Sequence, residues 1–237
     1  MLIDPHDLGH DLDRLEDIEK ASLRLVTQAL YDFRDTAVEI FRAEADLVAD
    51  IGEDITREAL DRLGTSKIDQ RLFGKVDYKR ARYLFHPEYA VKQALFVDSK
   101  AEKISGAETA TLQVSQFSMV VHQIRAGQIL NVPGKLPTVL MLRGEPYITT
   151  TQFVKYNYDD KQGVQELRSI TIAALPNGML QEYYNPNPED TIWLAGRNAP
   201  TLGEEFRVRL KFSLLKRKTS WRVQYIPVSP ASFTWDN

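Results

Sequence analysis

The chain has 237 residues, 43% of them hydrophobic and 27% charged, which is enough to bury the core of one sizeable domain or two small ones. It contains no cysteine, which excludes a disulfide framework, a thiolate zinc site and a cysteine nucleophile. No apolar run approaches membrane-spanning length, and the acidic N-terminus lacks the basic start and apolar core of a secretory signal. We therefore expect a cytoplasmic protein that does not associate with membranes.

Charge is distributed unevenly along the chain, although the formal net charge is only −3. Residues 1–62 hold 17 acidic and 7 basic side chains, whereas the rest of the chain holds 16 acidic and 23 basic. Within Phe206–Gln224 there are seven Lys or Arg residues and no acid. A phosphate-binding surface needs such local positive potential, but a run of this kind is also typical of an ordinary solvated face.

The residue pattern in the first quarter of the chain predicts helices. Apolar residues recur at helical spacing from Leu12 to Val48, which predicts one long amphipathic helix or two helices with a break. A further helical pattern surrounds EDITREALDRLG at residues 53–64, where Gly64 is a natural stop. These helices face a core or a partner protein.

After Gly64 the pattern changes to that of strands. Six runs are apolar or β-branched and are separated by turn-forming residues: RLFGKVDYKRARYLF (71–85), QALFVDSK (93–100), SMVVHQI (118–124), PTVLMLRG (137–144), YITTTQFVKYNY (147–158) and LRSITIAAL (167–175). The tail segments RVRLKFSLL and WRVQYIPV fit strand, helix or one of each, and the alternation of Val208, Leu210 and Phe212 favours strand. This order predicts an α/β or α+β fold with a mixed sheet, in one domain with a mainly helical part (1–64) and a sheet part (65–237).

Two of the strands carry a carboxylate directly after apolar residues. Asp77 follows Val76, and Asp98 follows a longer apolar run, with Lys100 two residues further on. Side chains alternate along a strand, so Asp98 and Lys100 share a face about 7 Å apart and Ser99 points to the other face. Two carboxylates on adjacent strand ends suit Mg²⁺, and a nearby lysine can position water and offset the charge of a phosphate. By spacing alone, the same pattern also fits a strand-end aspartate paired with a surface lysine.

A set of longer motifs accompanies these residues in a fixed order. They are EDIT (53–56), VDYKRARYL (76–84), LFVDSKAEK (95–103), TLQVSQ (111–116), LRSITIAALP (167–176), YNPNPED (184–190), FRVRLKF (206–212) and SWRVQ (220–224). With them the chain resembles the SfiI-type restriction endonucleases of the PD-(D/E)xK nuclease superfamily, which have a BglI-like architecture. The likeness runs from about Leu15 to Gln224. One departure is that Val76, and not proline, precedes the first acid.

The resemblance implies roles for particular residues. Asp77 and Asp98 correspond to the metal-binding carboxylates, Lys100 to the catalytic lysine, and Glu53 to an assisting helix carboxylate, with Asp54 as an alternative for the last. Base and phosphate contacts come from outside the catalytic strands, and two basic groups are candidates. These DNA-binding candidates are Lys79, Arg80 and Arg82 in the first group, and Arg207, Arg209, Lys211, Lys216, Arg217, Lys218 and Arg222 in the second.

The function implied is that of a type II restriction endonuclease of a bacterium or archaeon. Such an enzyme hydrolyses double-stranded DNA with Mg²⁺ at an interrupted palindrome, leaving 5′-phosphate ends and 3′ overhangs. It acts as a homodimer or homotetramer, and a cognate DNA methyltransferase protects the host DNA. Two alternatives stay open: a non-catalytic DNA-binding protein that keeps the nuclease fold, and a structural partner protein that uses the helices of residues 12–48.

Overall fold

The computed structural model describes residues 2–44, 48–64, 66–67, 82–104, 108–194 and 207–237. Its helices are α1 (Leu12–Asp32), α2 (Arg34–Ala43), α3 (Val48–Asp61), α4 (Gln181–Tyr184) and α5 (Phe212–Lys218). Its strands are β1 (Ser66–Lys67), β2 (Arg82–His86), β3 (Val91–Lys103), β4 (Thr109–Gln113), β5 (Val120–Arg125), β6 (Gln128–Pro133), β7 (Val139–Leu142), β8 (Glu145–Lys161), β9 (Val164–Leu175), β10 (Trp193–Leu194), β11 (Arg207–Lys211) and β12 (Val223–Pro227).

The N-terminal helical pattern forms two helices with a break at Phe33. Asp11 caps α1 because its side chain accepts a hydrogen bond from the backbone N–H of Arg14. α2 follows at Arg34, and the buried ring of Phe33 lies in the core. α3 is followed by a turn that contains Gly64, whose φ of 68° lies in the left-handed region that glycine adopts without strain. The predicted helices are thus confirmed where the structure describes them.

The main sheet is mixed, as the sequence predicts. Within the described residues its strand order is β1-β2-β3-β8-β9-β12, with β7 paired to the start of β8. β3 and β8 run parallel, and the other pairs are antiparallel. Of the predicted strands, the second to the sixth correspond to β3, β5, β7, β8 and β9. The first predicted strand is described only from Arg82, as β2, and residues 71–81 lie outside the described ranges.

Two apolar clusters cover opposite faces of this sheet. Phe153 and Val154 are neighbours on β8 and belong to different clusters, as the alternation of side chains along a strand requires. The cluster with Val154 contains buried residues of α1, α2 and α3. The cluster with Phe153 contains residues of β4, β5, β10 and β11. That the whole chain forms a single domain stays a prediction.

A smaller antiparallel sheet of order β10-β11-β4 and a hairpin of β5 and β6 complete the described part of the molecule. The tail prediction was partly wrong: Arg207–Lys211 is a strand, but Phe212 begins α5, where Phe212 and Leu215 are buried at helical spacing. WRVQYIPV contains β12 as expected. Among the described helices, none is both long enough and apolar enough to cross a membrane.

Candidate active site

Asp98 and Lys100 lie on one face of β3, an interior strand that is paired with β2 and β8. The side chains of both residues form hydrogen bonds with the segment 109–116. Ser99, between them, points to the opposite face, where its hydroxyl donates to the Thr56 hydroxyl of α3 at 2.8 Å. The predicted alternation across Asp98, Ser99 and Lys100 is therefore confirmed.

Gln116 holds the Asp98 carboxylate. The side chain of Asp98 is 5% exposed, and its Oδ2 accepts a hydrogen bond from Nε2 of Gln116 at 2.6 Å. The other end of that amide, Oε1, accepts from the backbone N–H of Gln113 at 2.7 Å. The Gln113 side chain in turn accepts from the Gln116 backbone, which closes a capping box around the turn Val114–Gln116. Both ends of the Gln116 amide are thereby engaged.

The ammonium group of Lys100 is directed towards β4. Its Nζ donates to the backbone carbonyl of Thr111 at 2.8 Å and lies 5.9 Å from the centre of the Phe153 ring. An ammonium group has three donors, and the Thr111 carbonyl accepts one of them. Lys100 therefore lies beside Asp98 with its charge on the same face of the sheet.

A second lysine lies next to Lys100 across the parallel pair of β3 and β8. Lys155 is opposite Lys100 in the register and is fully buried. Its Nζ forms an ion pair with Glu102 at 2.6 Å and donates to the carbonyl of Thr109 at 2.9 Å. A buried ammonium is costly without such a partner. Lys155 and Lys100 thus both attach β4 to the main sheet through backbone carbonyls.

β4 is also the direct neighbour of the basic strand β11. Arg207 lies opposite Gln113 in the register, Arg209 opposite Thr111, and Lys211 opposite Thr109. The three cations alternate with buried Val208 and Leu210, so they share the face that points away from the core. Arg209 is exposed, and the other two cations are partly buried. The structure brings these three predicted residues together.

The remaining cations of the basic run lie on or near α5. Lys216 forms an ion pair with Asp236 at 2.5 Å, and Lys218 forms one with Asp190 at 2.6 Å. Arg217 is exposed. A surface ion pair of this kind contributes little to stability and can be exchanged for a contact with phosphate.

Arg222 corrects the interpretation of the basic run as one continuous surface. This residue is fully buried, and its guanidinium bonds to Glu19 at 2.6 Å, to Glu16 at 2.9 Å and to the Tyr184 hydroxyl at 2.5 Å. Burial raises the pKa of Glu19 to about 7, against the opposing effect of Arg222. Since its donors face these interior partners, Arg222 is a structural residue, and its assignment to DNA binding was wrong.

Arg82 needs the same correction. It is 6% exposed, forms an ion pair with Asp61 at 2.8 Å and donates to the carbonyl of Arg57 at 3.3 Å. Its guanidinium therefore joins β2 to the C-terminal end of α3 and does not form part of a DNA-binding surface. The other predicted residues of that segment, Asp77, Lys79 and Arg80, lie outside the described residues.

Glu53 is exposed on α3, the helix that packs on the Ser99 face of β3. Its neighbour Gly52 lies directly against the strand: a Cβ there would be 3.3 Å from the amide nitrogen of Ala101 and 3.4 Å from the carbonyl carbon of Lys100. A larger residue at position 52 would push the helix away. Glu53 directly follows Gly52 in α3, and its assisting role stays a prediction.

The described residues fit a hard divalent cation in the kind of donor that they offer. Asp98 supplies a buried carboxylate in a fixed orientation, and oxygen is the donor atom that Mg²⁺ prefers. Among the residues described, no group of three or more His, Asp or Glu side chains is close enough to hold a metal ion. A complete ligand set therefore needs a contribution from elsewhere, and Asp77 is the predicted source.

Sequence reasoning missed Gln116 and Lys155. The spacing of Gln113 and Gln116 in TLQVSQ, with glutamine three residues after a capping position, was a usable signal for the capping box. Lys155 was visible as a lone cation in the run YITTTQFVKYNY. Neither pattern could indicate the partner, because Asp98 and Thr109 lie far from these residues along the chain.

Known proteins match this chain over almost its whole length. Residues 2–226 match the family model for type II restriction enzyme SfiI. The chain is 35% identical over 236 residues to the type II restriction enzyme SfiI of Streptomyces fimbriatus, with 93% of this chain and 87% of that protein covered.

Two solved structures resemble the fold. Tetrameric SfiI bound to cognate DNA superposes with a TM-score of 0.84 at 35% identity, covering 100% of this chain and 91% of the other. BglI bound to its DNA recognition sequence superposes with a TM-score of 0.76, covering 95% of this chain and 94% of the other. At 16% identity, the second likeness concerns the fold alone.

Proposed function

Because this chain belongs to the SfiI family of type II restriction enzymes and is a sequence-specific restriction endonuclease, we propose that Asp77, Asp98 and Lys100 form its catalytic centre. The resemblance drawn from the sequence motifs and the predicted fold class are both confirmed. Type II restriction endonucleases generally depend on a metal ion, and for this chain we propose Mg²⁺.

One observation carries the proposal: a buried, hydrogen-bonded carboxylate and an ammonium group lie side by side on one face of β3. A buried carboxylate needs a cationic partner, and oxygen ligands suit Mg²⁺. Asp77 is five residues from Arg82, which lies opposite Leu95 on β3, so the chain can extend at most about 18 Å between Asp77 and that point. The second carboxylate is therefore within reach of Asp98.

The bound cation supplies Lewis acidity and neutralises charge on the scissile phosphate. Asp98 and Asp77 would hold this cation, and Gln116 would keep the Asp98 carboxylate in place. Lys100, whose ammonium group bonds to the Thr111 carbonyl, would orient the attacking water and stabilise the developing negative charge. Glu53 of α3 is proposed to assist, as the resemblance implies. Hydrolysis of one bond in each strand leaves 5′-phosphate ends.

DNA contacts are proposed for the exposed and partly buried cations of β11 and α5. Arg207 and Arg209 suit base readout, since arginine can form two hydrogen bonds with guanine in the major groove. Lys211, Lys216 and Lys218 suit phosphate contacts, and Lys79 and Arg80 are proposed to contact the backbone near the scissile bond. The affinity of Arg209→Ala for the target duplex and for an unrelated duplex tests this assignment: equal affinity to wild type on both would refute it.

The assembly and the biological setting complete the proposal. A palindromic site is read most simply by a protein with matching two-fold symmetry, so we propose at least a homodimer. A homotetramer that holds two DNA sites follows the example of tetrameric SfiI bound to cognate DNA. The target would be an interrupted palindrome cut to 3′ overhangs, in a cytoplasm where a cognate methyltransferase protects the host DNA. Light scattering of the free protein and of its DNA complex tests the assembly, and a monomer in both would refute it.

Plasmid cleavage tests the proposed function directly. The protein is incubated with plasmid DNA and Mg²⁺, and in parallel with EDTA. Discrete fragments with Mg²⁺ and intact plasmid with EDTA are expected, and sequencing the fragment ends then gives the target and the overhang. A smear would indicate a non-specific nuclease. Intact plasmid in Mg²⁺, Mn²⁺ and Co²⁺ alike, on DNA of diverse sequence, would refute the proposed catalytic centre.

A further inference from the structure

We propose that Gln116 is a positioning residue for Asp98: its side-chain amide sets the orientation of the carboxylate that receives the metal ion. The inference depends on the proposed function, because it takes Asp98 as a metal ligand. It adds a residue to the site that has no part in the catalytic motif and that reaches Asp98 from another element of the fold.

The geometry of the amide gives it one available orientation. Oε1 of Gln116 accepts from the backbone N–H of Gln113 at 2.7 Å, so Nε2 has to face the other way, towards Oδ2 of Asp98 at 2.6 Å. Gln116 is 4% exposed and Asp98 is 5% exposed. The hydrogen bond is therefore short, involves a charged acceptor and is shielded from water, which makes it stronger than a surface contact of the same length.

This bond acts on the side-chain torsions of Asp98, which the strand itself does not fix. The backbone of β3 sets the direction of the Cα–Cβ bond, but the carboxylate rotates in a broad well about χ2. Engaging Oδ2 holds that rotation in one position. Without Gln116, metal binding itself would have to order the Asp98 carboxylate. The loss of side-chain entropy would then oppose binding and lower the metal affinity.

The capping box alone does not require the contact with Asp98. Capping needs only an acceptor at Oε1 for the Gln113 N–H, and Gln113 supplies the reciprocal half of the box. The donor end of the amide is not used in the cap. Its position against a buried carboxylate gives Gln116 a second function that a glutamate at the same place would lose.

The matched test compares two glutamine-to-methionine substitutions. Gln116→Met keeps about the length and buried volume of the side chain but removes both the donor to Asp98 and the acceptor for the Gln113 N–H. Gln123→Met makes the same change in β5, where the amide of Gln123 is 2% exposed and has no hydrogen-bond partner among the described residues. Both proteins are compared with wild type on a duplex that carries the target found by end sequencing.

Two quantities are measured. The first is the Mg²⁺ concentration that gives half of the maximal single-turnover cleavage rate. The second is the Ca²⁺ concentration that gives half of the cation-dependent increase in DNA affinity, by fluorescence anisotropy and without cleavage. For Gln116→Met we expect both midpoints to rise by about 10–100-fold, the usual effect of removing a group that orients a metal ligand. DNA binding in EDTA should not change, and Gln123→Met should keep the wild-type midpoints.

The outcomes separate this inference from the proposed function. If the wild-type protein does not cut with any divalent cation, the catalytic centre is wrong and the role of Gln116 falls with it. If the wild type cuts and folded Gln116→Met shows unchanged midpoints, only the role of Gln116 is refuted. Equal shifts in Gln116→Met and Gln123→Met would also refute it, since they would reflect a general loss of packing.

A second variant covers the case in which Gln116→Met does not fold. Gln116→Asn keeps an amide but is one methylene shorter, so it cannot reach both the Gln113 N–H and Asp98. Because its polarity is retained, we expect it to fold and to shift both midpoints in the same direction. Wild-type midpoints in this variant would refute the inference on their own.

Discussion

Asp98 and Lys100 share a face of β3, but their removal should have different effects on the enzyme. Asp98→Ala removes a proposed metal ligand, so cleavage should vanish at any practical Mg²⁺ concentration and Ca²⁺-dependent DNA binding should be lost. In EDTA the same variant should bind DNA as well as wild type or better, since a carboxylate that faces a phosphate repels it. Lys100→Ala keeps the ligands, so Ca²⁺-dependent binding should survive while the rate falls by about 10²-fold or more.

Single-turnover cleavage of the target duplex and anisotropy in Ca²⁺ measure these effects, with circular dichroism as the check on folding. A folded Asp98→Ala or Lys100→Ala protein that cuts at close to the wild-type rate would place the catalytic centre elsewhere. Loss of Ca²⁺-dependent binding in Lys100→Ala would mean that the lysine helps to hold the cation.

Replacing Ser99 should lower the stability of the fold and leave the cleavage rate unchanged. Its hydroxyl donates to Thr56, which is also hydrogen-bonded to the Tyr156 hydroxyl at 2.8 Å, and all of this lies on the face away from Asp98. Ser99→Ala removes one buried hydrogen bond, so we expect a loss of about 1 kcal/mol in the free energy of unfolding in urea. The cleavage rate should equal that of wild type, and a slower rate without a loss of stability would contradict the assignment of faces.

For single residues, the sequence predicted which side chains share a face of a strand, but it could not predict contact partners that are distant along the chain. The shared face of Asp98 and Lys100 follows from strand alternation alone. Gln116 could not be paired with Asp98, because the contact depends on how the turn Val114–Gln116 folds back onto β3. Arg222 was misassigned for the same reason: its partner Glu19 is 203 residues away, and a charge count does not distinguish a buried cation from an exposed one.

At the scale of secondary-structure elements, the Asn- and Pro-rich segment after β9 holds the hairpin of β5 and β6 in place. Gln181 accepts from the N–H of Val120 and donates to the carbonyl of the same residue. Asn185 does the same at His122, two residues along β5. Two side-chain amides therefore replace the hydrogen bonds that a neighbouring strand would make, and they attach the β5–β6 hairpin to α4. Asn185 is fully buried, which explains the need for an amide at that position.

Asn185→Ala should loosen the hairpin. It leaves the N–H and carbonyl of His122 and the hydroxyl of Thr191 without this partner, at a cost of about 1–3 kcal/mol for each buried group that water cannot reach. We expect faster amide hydrogen exchange at His122 and a lower free energy of unfolding. Asn187→Ala is the control, because that side chain only caps the exposed backbone of Glu189 and Asp190. Unchanged exchange at His122 in Asn185→Ala would show that the hairpin is held by other contacts.

The elements themselves were largely readable from apolar patterns, with failures where a segment is short or changes type. β3, β8 and β9 are long and rich in apolar and β-branched residues, a composition typical of strands. The predicted strand extended beyond the end of β11, because the apolar alternation of Val208 and Leu210 continues at Phe212. From that residue the buried positions are three apart, at Phe212 and Leu215, and the chain is helical.

The two ends of the described chain are joined through a buried charge cluster. Arg222, next to β12, bonds to Glu19 and Glu16 of α1 and to Tyr184 of α4. Glu19 also accepts from the backbone N–H of Asn177 at 2.8 Å. Removing one partner of such a cluster leaves a buried charge without compensation, so these side chains stabilise the packing of α1 on the sheet.

The stability of the whole molecule should therefore depend on pH through Glu19. Its pKa is about 7 in the folded protein and 4.5 without the fold, so between these values the folded state binds the proton more tightly. The contribution is fully present below pH 4.5 and is lost as the pH rises through 7. Glu19→Gln cannot ionise, so its unfolding free energy should fall less steeply than that of wild type between pH 5 and 7.

Urea denaturation of both proteins across this range measures the two slopes. Glu19→Gln is expected to be less stable overall, since its amide is a poorer partner for Arg222. Parallel slopes in the two proteins would show that Glu19 is ionised throughout, with its charge fully compensated by the guanidinium.

The position of the smaller sheet could not be predicted from the sequence. β4 and β11 are about a hundred residues apart, and nothing in their local patterns indicates that they pair. The sequence shows that β11 is basic and predicts that β3 is catalytic, but their relation through β4 depends on the packing of one apolar cluster over the main sheet.

That relation has a consequence for fidelity. Arg209 lies beside Thr111, whose carbonyl receives Lys100, and Arg207 lies beside Gln113, whose N–H orients the amide that holds Asp98. With Arg207 and Arg209 as the proposed base contacts, an incorrect base pair under either one would disturb the strand that holds the proposed catalytic groups, in addition to weakening contact with the DNA. We expect discrimination to have two stages, so that a duplex with one altered base pair is cut more slowly even when every molecule of it is bound. Single-turnover rates at saturating protein on such duplexes measure the second stage, and equal rates on correct and altered sites would show that errors are rejected by occupancy alone.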